Sequence, residues 1–279
     1  MTEVTMQIGR DRHLSGVVSL PEAGTAAPLG IVLMNAGVIH RVGPHRFNVK
    51  LARRLAQQGY PVLRLDLSGL GDSAAPSRGL PYKAQSVADL RAGMDSLAAV
   101  SGARVFLLAG ICSGALNAWT TALEDERVRG VWMMDGFYIP TRKTPLHYWA
   151  RRAAHEGMWQ LARRFAVRLP QQFMDRMKAA PREAPAAPIE SPPDQGRFVD
   201  ELSRLVARGV RPCFVYSGSS LRQYSYEAQL EDYLGDRVPS GGVTVHLLPK
   251  VDHTLTTLDG QAVVASQVEA FCASLAGEA

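Results

Sequence analysis

The stretch Leu107-Leu108-Ala109-Gly110-Ile111-Cys112-Ser113-Gly114-Ala115 decides how this chain is read. An apolar run fit for a buried strand ends in a tight turn, and a helix opens directly after it. Gly110 and Gly114 stand two residues before and two after Cys112, the order Gly-x-nucleophile-x-Gly of a strand–turn–helix elbow. The requirement is steric. The residue at the apex sits on a strained turn, and the residues two before and two after it crowd its backbone, so both must be small. Centring the frame on Ser113 would put β-branched Ile111 in one of those places, so the frame selects Cys112. The turn also sets Cys112 at a helix N-terminus, where the dipole and free N–H groups favour a thiolate. The bland alternative is a small apolar residue at a strand end.

Outward from the elbow, apolar runs alternate with amphipathic stretches. Residues 3–8 and 14–20 alternate as a strand pair. The runs 30–35, 61–67, 103–110, 128–135, 212–218 and 241–249 read as further strands. Helices are expected at 46–58, 82–100, 113–123, about 222–234 and about 260–275. Strands alternating with helices imply an α/β fold, a mainly parallel sheet covered on both faces. The rhythm breaks between about 137 and 205, where helical pieces are expected at 147–167, 171–179 and 197–208. The division is therefore a core first part (1–136), a helical cap insertion (137–208) with a Pro/Ala-rich mobile segment (180–196), and a core second part (209–279). A linker with no chemical role is the alternative for the insertion.

Composition narrows the function. The chain has 279 residues, 46% hydrophobic and 20% charged, with a formal net charge of +5, which is ordinary for a globular protein. No apolar run approaches the roughly 18 residues of a membrane span. MTEVTMQIGRDRH, at the start, has no apolar core, so no secretory signal is expected. The three cysteines, Cys112, Cys213 and Cys272, are too scattered for a disulfide framework or a zinc site, and a cytoplasmic setting is expected. Basic residues form no aromatic-interleaved patch, so nucleic acid is not an expected partner. Gly69-Leu70-Gly71 lacks the third glycine of a dinucleotide site and any Gly-Lys-Ser/Thr element. No cofactor and no metal are expected.

A nucleophile of this kind needs an oxyanion hole and a base. One donor is the backbone N–H of Ser113, and the other is expected in the turn Asn35-Ala36-Gly37-Val38, from Gly37. The base is expected to be His253, in Lys250-Val251-Asp252-His253-Thr254, just after the last strand and before the last helix. His246 lies inside a strand and His13 near the N-terminus, and both compete poorly.

At this point the chain resembles the α/β-hydrolase superfamily, within the serine aminopeptidase-like hydrolases, and is similar to hydrolases associated with exosortase systems. Three segments carry the likeness: Asn35-Ala36-Gly37 through Arg41-Val42-Gly43-Pro44-His45-Arg46; Leu63-Arg64-Leu65-Asp66-Leu67-Ser68-Gly69-Leu70-Gly71-Asp72-Ser73; and the elbow with His253. Cysteine in the elbow is also similar to dienelactone hydrolases and polyhydroxyalkanoate synthases. The resemblance implies the α/β-hydrolase fold and places an acid just after the strand 212–217. The turn there reads Ser217-Gly218-Ser219-Ser220-Leu221-Arg222, with no carboxylate. Asp135 ends the preceding strand, where some members of the superfamily carry their acid. It is the candidate partner of His253, against a turn-capping role for Asp135 or a cysteine–histidine dyad without an acid.

His40, Arg41, His45 and Arg46 flank the oxyanion turn. They form either a cradle for a substrate carboxylate or phosphate or a network pinning the turn to the Asp66–Asp72 loop. Tyr138 and Trp149, with Phe137, Tyr148, Met158 and Trp159, either line an acyl pocket or fill a core. The function these residues point to is acyl hydrolysis or transfer. Cys112 would attack a thioester or ester, with a small acyl substrate, carrier- or coenzyme A-bound, as the partner. The competing reading is a fold of the same kind that binds a ligand or protein without catalysis, as an accessory to a biosynthetic or export pathway.

Overall fold

The computed structural model describes residues 1–277 apart from 23, 25, 35, 157–193 and 238–241. Eight strands form one sheet: β1 (Thr2–Ile8), β2 (Leu14–Leu20), β3 (Leu29–Leu33), β4 (Val62–Leu65), β5 (Val105–Ile111), β6 (Val128–Met134), β7 (Arg211–Ser217) and β8 (Thr244–Leu248). Their order across the sheet is β1-β2-β4-β3-β5-β6-β7-β8. The β1–β2 and β2–β4 pairs are antiparallel, and every later pair is parallel. The alternation read from the sequence thus gives the mainly parallel sheet it predicts.

Each face of the sheet has its own core. Phe106 and Leu108 of β5 join one cluster, with Leu90, Met94 and Leu97 of α2 (Tyr82–Ser101), Ala118 and Trp119 of α3 (Ser113–Glu124), and Phe198 and Leu202 of α5 (Gln195–Ala207). Leu107, Ala109 and Ile111 point the other way, into a cluster with Phe47, Leu51 and Leu55 of α1 (Phe47–Gln57) and Val264, Val268 and Phe271 of α7 (Leu258–Ala276). The period-two alternation of one continuous apolar strand therefore serves two cores, as a sheet buried on both sides requires.

Register places the chemistry. The pairs Ile111↔Met134, Met134↔Val215 and Ser217↔Leu248 align the carboxyl ends of β5 to β8 along one edge. After β3 the chain runs to β4 on one side, while β5 lies on the other. That is a topological switch point, where open α/β sheets leave a crevice for ligand. The elbow and the turn after β3 sit at its two sides.

Two expectations need correction. The helix expected over 222–234 is confined to α6 (Gln229–Leu234). The side chain of Gln229 takes over the preceding segment: its Oε1 accepts the Ser225 N–H at 2.8 Å, and its Nε2 donates to the Gln223 carbonyl at 2.6 Å. The helix expected from His147 begins earlier, as α4 (Thr144–Glu156), after a turn closed by the Thr141 N–H donating to Thr144 Oγ1 at 2.9 Å. The remainder of the expected cap, including 171–179, most of the segment 180–196, Met158 and Trp159, lies outside the described residues. No helix among the described residues is long and apolar enough to cross a membrane.

Candidate active site

The elbow begins with a collision avoided. A side chain at Gly110 would meet the backbone of Gly114, 2.5 Å from its carbonyl oxygen and closer still to its carbonyl carbon. Cys112 stands at the apex with φ 56° and ψ −121°, a left-handed conformation costly for any residue with a Cβ. Its N–H donates to the Met134 carbonyl at 2.9 Å, and its own carbonyl accepts the Ala115 N–H at 3.0 Å. These bonds hold the strained turn between β6 and α3. Gly110→Ala is therefore expected to destabilise the fold by about 3 kcal/mol, the upper range for forced overpacking, read as a lowered Tm. A melting temperature equal to that of the unaltered chain would contradict this close approach.

Asp135 follows β6 and is 2% exposed. It too has a positive φ, 51°. Its N–H donates to the Val215 carbonyl at 2.9 Å, and its Oδ1 accepts the Ser217 N–H at 2.8 Å. Oδ2 is left for His253, whose Nδ1 lies 2.8 Å away. The carboxylate thus caps a turn and holds a histidine at once, the two roles set against each other in the sequence. A buried carboxylate needs such partners, because each lone pair left unsatisfied costs desolvation energy.

His253 is carried on a loop fastened at both ends. Gly218 donates its N–H to the Val251 carbonyl at 2.7 Å, and the His253 N–H donates to Ser219 Oγ at 3.0 Å. Asp252 turns the other way. Its carboxylate accepts from Thr254 Oγ1 at 2.7 Å and Thr256 Oγ1 at 2.8 Å. These bonds lower its pKa to about 2. Nδ1 of His253 is engaged by Asp135.

The electrostatics of the pair follow. The hydrogen bond to His253 lowers the Cys112 pKa; burial opposes the shift, and the Ser113 N–H adds to it. The Asp135 hydrogen bond, then that to Cys112, raises His253 to about 10 against the effect of burial. The two shifts share one cause, the interaction between the thiol and the imidazole. Burial pushes Cys213 up to about 12 and raises Cys272 further, so neither shares this activation.

The turn after β3 approaches the elbow through its side chain. The Gly37 N–H donates to Ser113 Oγ at 2.8 Å. His40 and Arg41 are drawn into the Asp66–Asp72 loop. The Arg41 N–H donates to Asp66 Oδ1 at 2.6 Å, and its guanidinium bonds Asp66 and reaches Asp72 Oδ2 at 2.8 Å. His40 Nε2 lies 3.1 Å from Asp72 Oδ2. His40, Asp66 and Asp72 could together offer three ligand atoms to a cation. The Arg41 guanidinium already neutralises both carboxylates there, so the donor set does not suit a metal ion. His45 is exposed in the adjoining turn, with φ 48°.

Tyr138 is half-buried just beyond Asp135, and Trp149 is exposed on α4, edge-on to Tyr148. Tyr224 is buried in a stack on Tyr216 at 3.8 Å. Tyr226 Oη donates to Asp232 at 2.7 Å. Sequence reasoning missed Ser217 and Ser219. Their only signal was their place in the turn where an acid was sought.

A family model described as "Alpha/beta hydrolase family" matches residues 32–266. The chain belongs to the alpha/beta hydrolase family. No curated protein matches it by sequence. Solved structures share the family's fold over nearly the whole chain. A dienelactone hydrolase from Anabaena variabilis is 15% identical, with a TM-score of 0.56 over 96% of this chain and 94% of its own. The esterase domain of a Rhodothermus marinus protein is 16% identical, with a TM-score of 0.55 over 97% and 96%. A thermophilic esterase from Thermogutta terrifontis is 14% identical, with a TM-score of 0.54 over 99% of each chain. At these identities the likeness is one of fold. Within the hydrolase fold, Cys112 occupies the elbow after β5, and His253 the loop between β8 and α7.

Proposed function

We propose that this alpha/beta hydrolase is a cysteine-nucleophile acyl hydrolase or acyltransferase, acting on a thioester or ester through an S-acyl-enzyme. Support comes from His253 Nδ1, which lies 2.8 Å from the buried Asp135, and from the interaction with His253 that lowers the Cys112 pKa. Asp135 offers an acid in place of the one missing from the turn after β7, which weighs against a non-catalytic binding protein. Cysteine in the elbow, a feature similar to dienelactone hydrolases, is part of the same proposal, as is the finer likeness to serine aminopeptidase-like, exosortase-associated hydrolases.

In the proposed reaction the Cys112 sulfur forms a bond to the acyl carbon, and the carbonyl π electrons move onto oxygen. As that oxyanion collapses, the leaving thiolate or alkoxide takes the proton from His253. Water or another acceptor then attacks the S-acyl group, giving its proton to neutral His253 and returning Cys112 as thiolate. A thioester intermediate is close in energy to a thioester substrate, so the exchange runs without a steep step in either direction. Carrier- or coenzyme A-bound acyl groups are the proposed substrates. His45, Tyr138 and Trp149 are the proposed substrate contacts. His40 and Arg41 are assigned instead to holding the oxyanion turn, because His40 Nε2 and Arg41 Nη1 both lie against the Asp66 and Asp72 carboxylates. The free cysteines suit the proposed reducing, cytoplasmic setting.

Two measurements test the proposal. Mixing the protein with acyl thioesters is expected to add the acyl mass to Cys112; an adduct elsewhere, or none, sinks it. Iodoacetamide is expected to label Cys112 before Cys213 and Cys272, with a pH midpoint below the ordinary thiol value of about 8.5. Turnover should rise with that same midpoint as the thiolate forms. It should fall as pH passes about 10, where His253 loses the proton the leaving group needs. Labelling that follows an ordinary thiol profile would remove the activated pair.

A further inference from the structure

Of the two expected oxyanion donors, the Gly37 N–H already has a partner. The Ser113 hydroxyl takes the Gly37 N–H at 2.8 Å. A serine hydroxyl has one proton and two acceptor lone pairs. The Gly37 N–H occupies a lone pair, so the proton remains to be donated. Among the described residues the hydroxyl makes no other hydrogen bond. It belongs to the residue next to the nucleophile, in the first turn of α3, half-buried at the mouth of the elbow. Accepting from a backbone N–H polarises an O–H and strengthens it as a donor.

We propose that the Ser113 side chain, and not the Gly37 backbone, is the second oxyanion donor, with Gly37 holding and polarising that hydroxyl. The proposal rests on the reading of Cys112 as nucleophile. When the Cys112 sulfur bonds to the acyl carbon and the carbonyl pair moves to oxygen, the Ser113 O–H hydrogen-bonds the new oxyanion. Its proton stays on Ser113 throughout. The bond is lost again when the carbonyl re-forms and the leaving group departs with the proton of His253.

Alkylation and acylation separate this role from that of the nucleophile, because displacement of iodide from iodoacetamide passes through no oxyanion. In Ser113→Ala, alkylation of Cys112 is expected at the wild-type rate. Its acylation by para-nitrophenyl acetate, followed as the nitrophenolate burst, is expected to fall by about 10²-fold, as for loss of one oxyanion donor. Ser113→Thr, which keeps the hydroxyl, is expected to restore most of that rate. Acylation of Ser113→Ala at or above the wild-type rate overturns the proposal, and in the second case the hydroxyl blocks the hole rather than building it. A parallel loss of alkylation, or no recovery with threonine, also overturns it, assigning Ser113 to the shape of the elbow. Failure of the nucleophile reading shows differently, as a wild-type Cys112 that iodoacetamide does not select.

Discussion

Cys112→Ala is expected to abolish turnover of thioesters and esters, lowering kcat/KM by about four orders of magnitude or more, as removal of a nucleophile does elsewhere. The fold should survive. Alanine at the apex of the elbow keeps the one Cβ that the φ of 56° already tolerates, and the glycines that make room for the turn are untouched. Circular dichroism and Tm should therefore stay near those of the unaltered chain while the covalent adduct disappears from intact-mass spectra. Substantial remaining turnover would move the chemistry away from this sulfur and sink the proposed function.

Asp135→Asn carries the second large effect. Asparagine fits the same space, and its oxygen can keep the Ser217 N–H that Asp135 Oδ1 now accepts. Its amide nitrogen then faces His253 Nδ1 and can only donate. The ring must answer with an unprotonated Nδ1, which leaves the proton on the nitrogen beside Cys112. An imidazole in that tautomer cannot take the thiol proton, and the imidazolium loses the carboxylate that favours it. A drop in kcat/KM of about 10³-fold is expected, somewhat less than the loss in serine triads because a thiol ionises more readily than a hydroxyl. The alkylation midpoint of Cys112 should move up toward that of an ordinary thiol in the same variant. A near-normal rate with an unmoved midpoint would show a dyad that needs no acid.

Much of this site was legible because its signals are local. The spacing Gly110-x-Cys112-x-Gly114 reports a steric demand across five residues, and the structure answers it with Gly110 pressed against the Gly114 backbone. His253 was singled out from its position after the last strand, since parallel strands bring their carboxyl ends to one edge. The group His40, Arg41, His45 and Arg46 was legible beside the Asp66–Asp72 loop but not as to its purpose. Only the closing of Arg41 onto both carboxylates shows that its charges are already spent. The helix 222–234 failed because a side chain, Gln229, outbids the backbone for the hydrogen bonds of its own approach segment, a contest that helical periodicity does not register.

The sequence by itself determined the elbow, the identity of its apex residue and the alternation that yields a parallel sheet, because short-range sterics and periodic burial are written in neighbouring residues. Tertiary structure alone decided that Asp135 faces His253 across 118 positions of chain and that Ser113 Oγ receives the Gly37 N–H across 76. Such bonds depend on strand register and on the direction of single side chains, and no nearby residue encodes either.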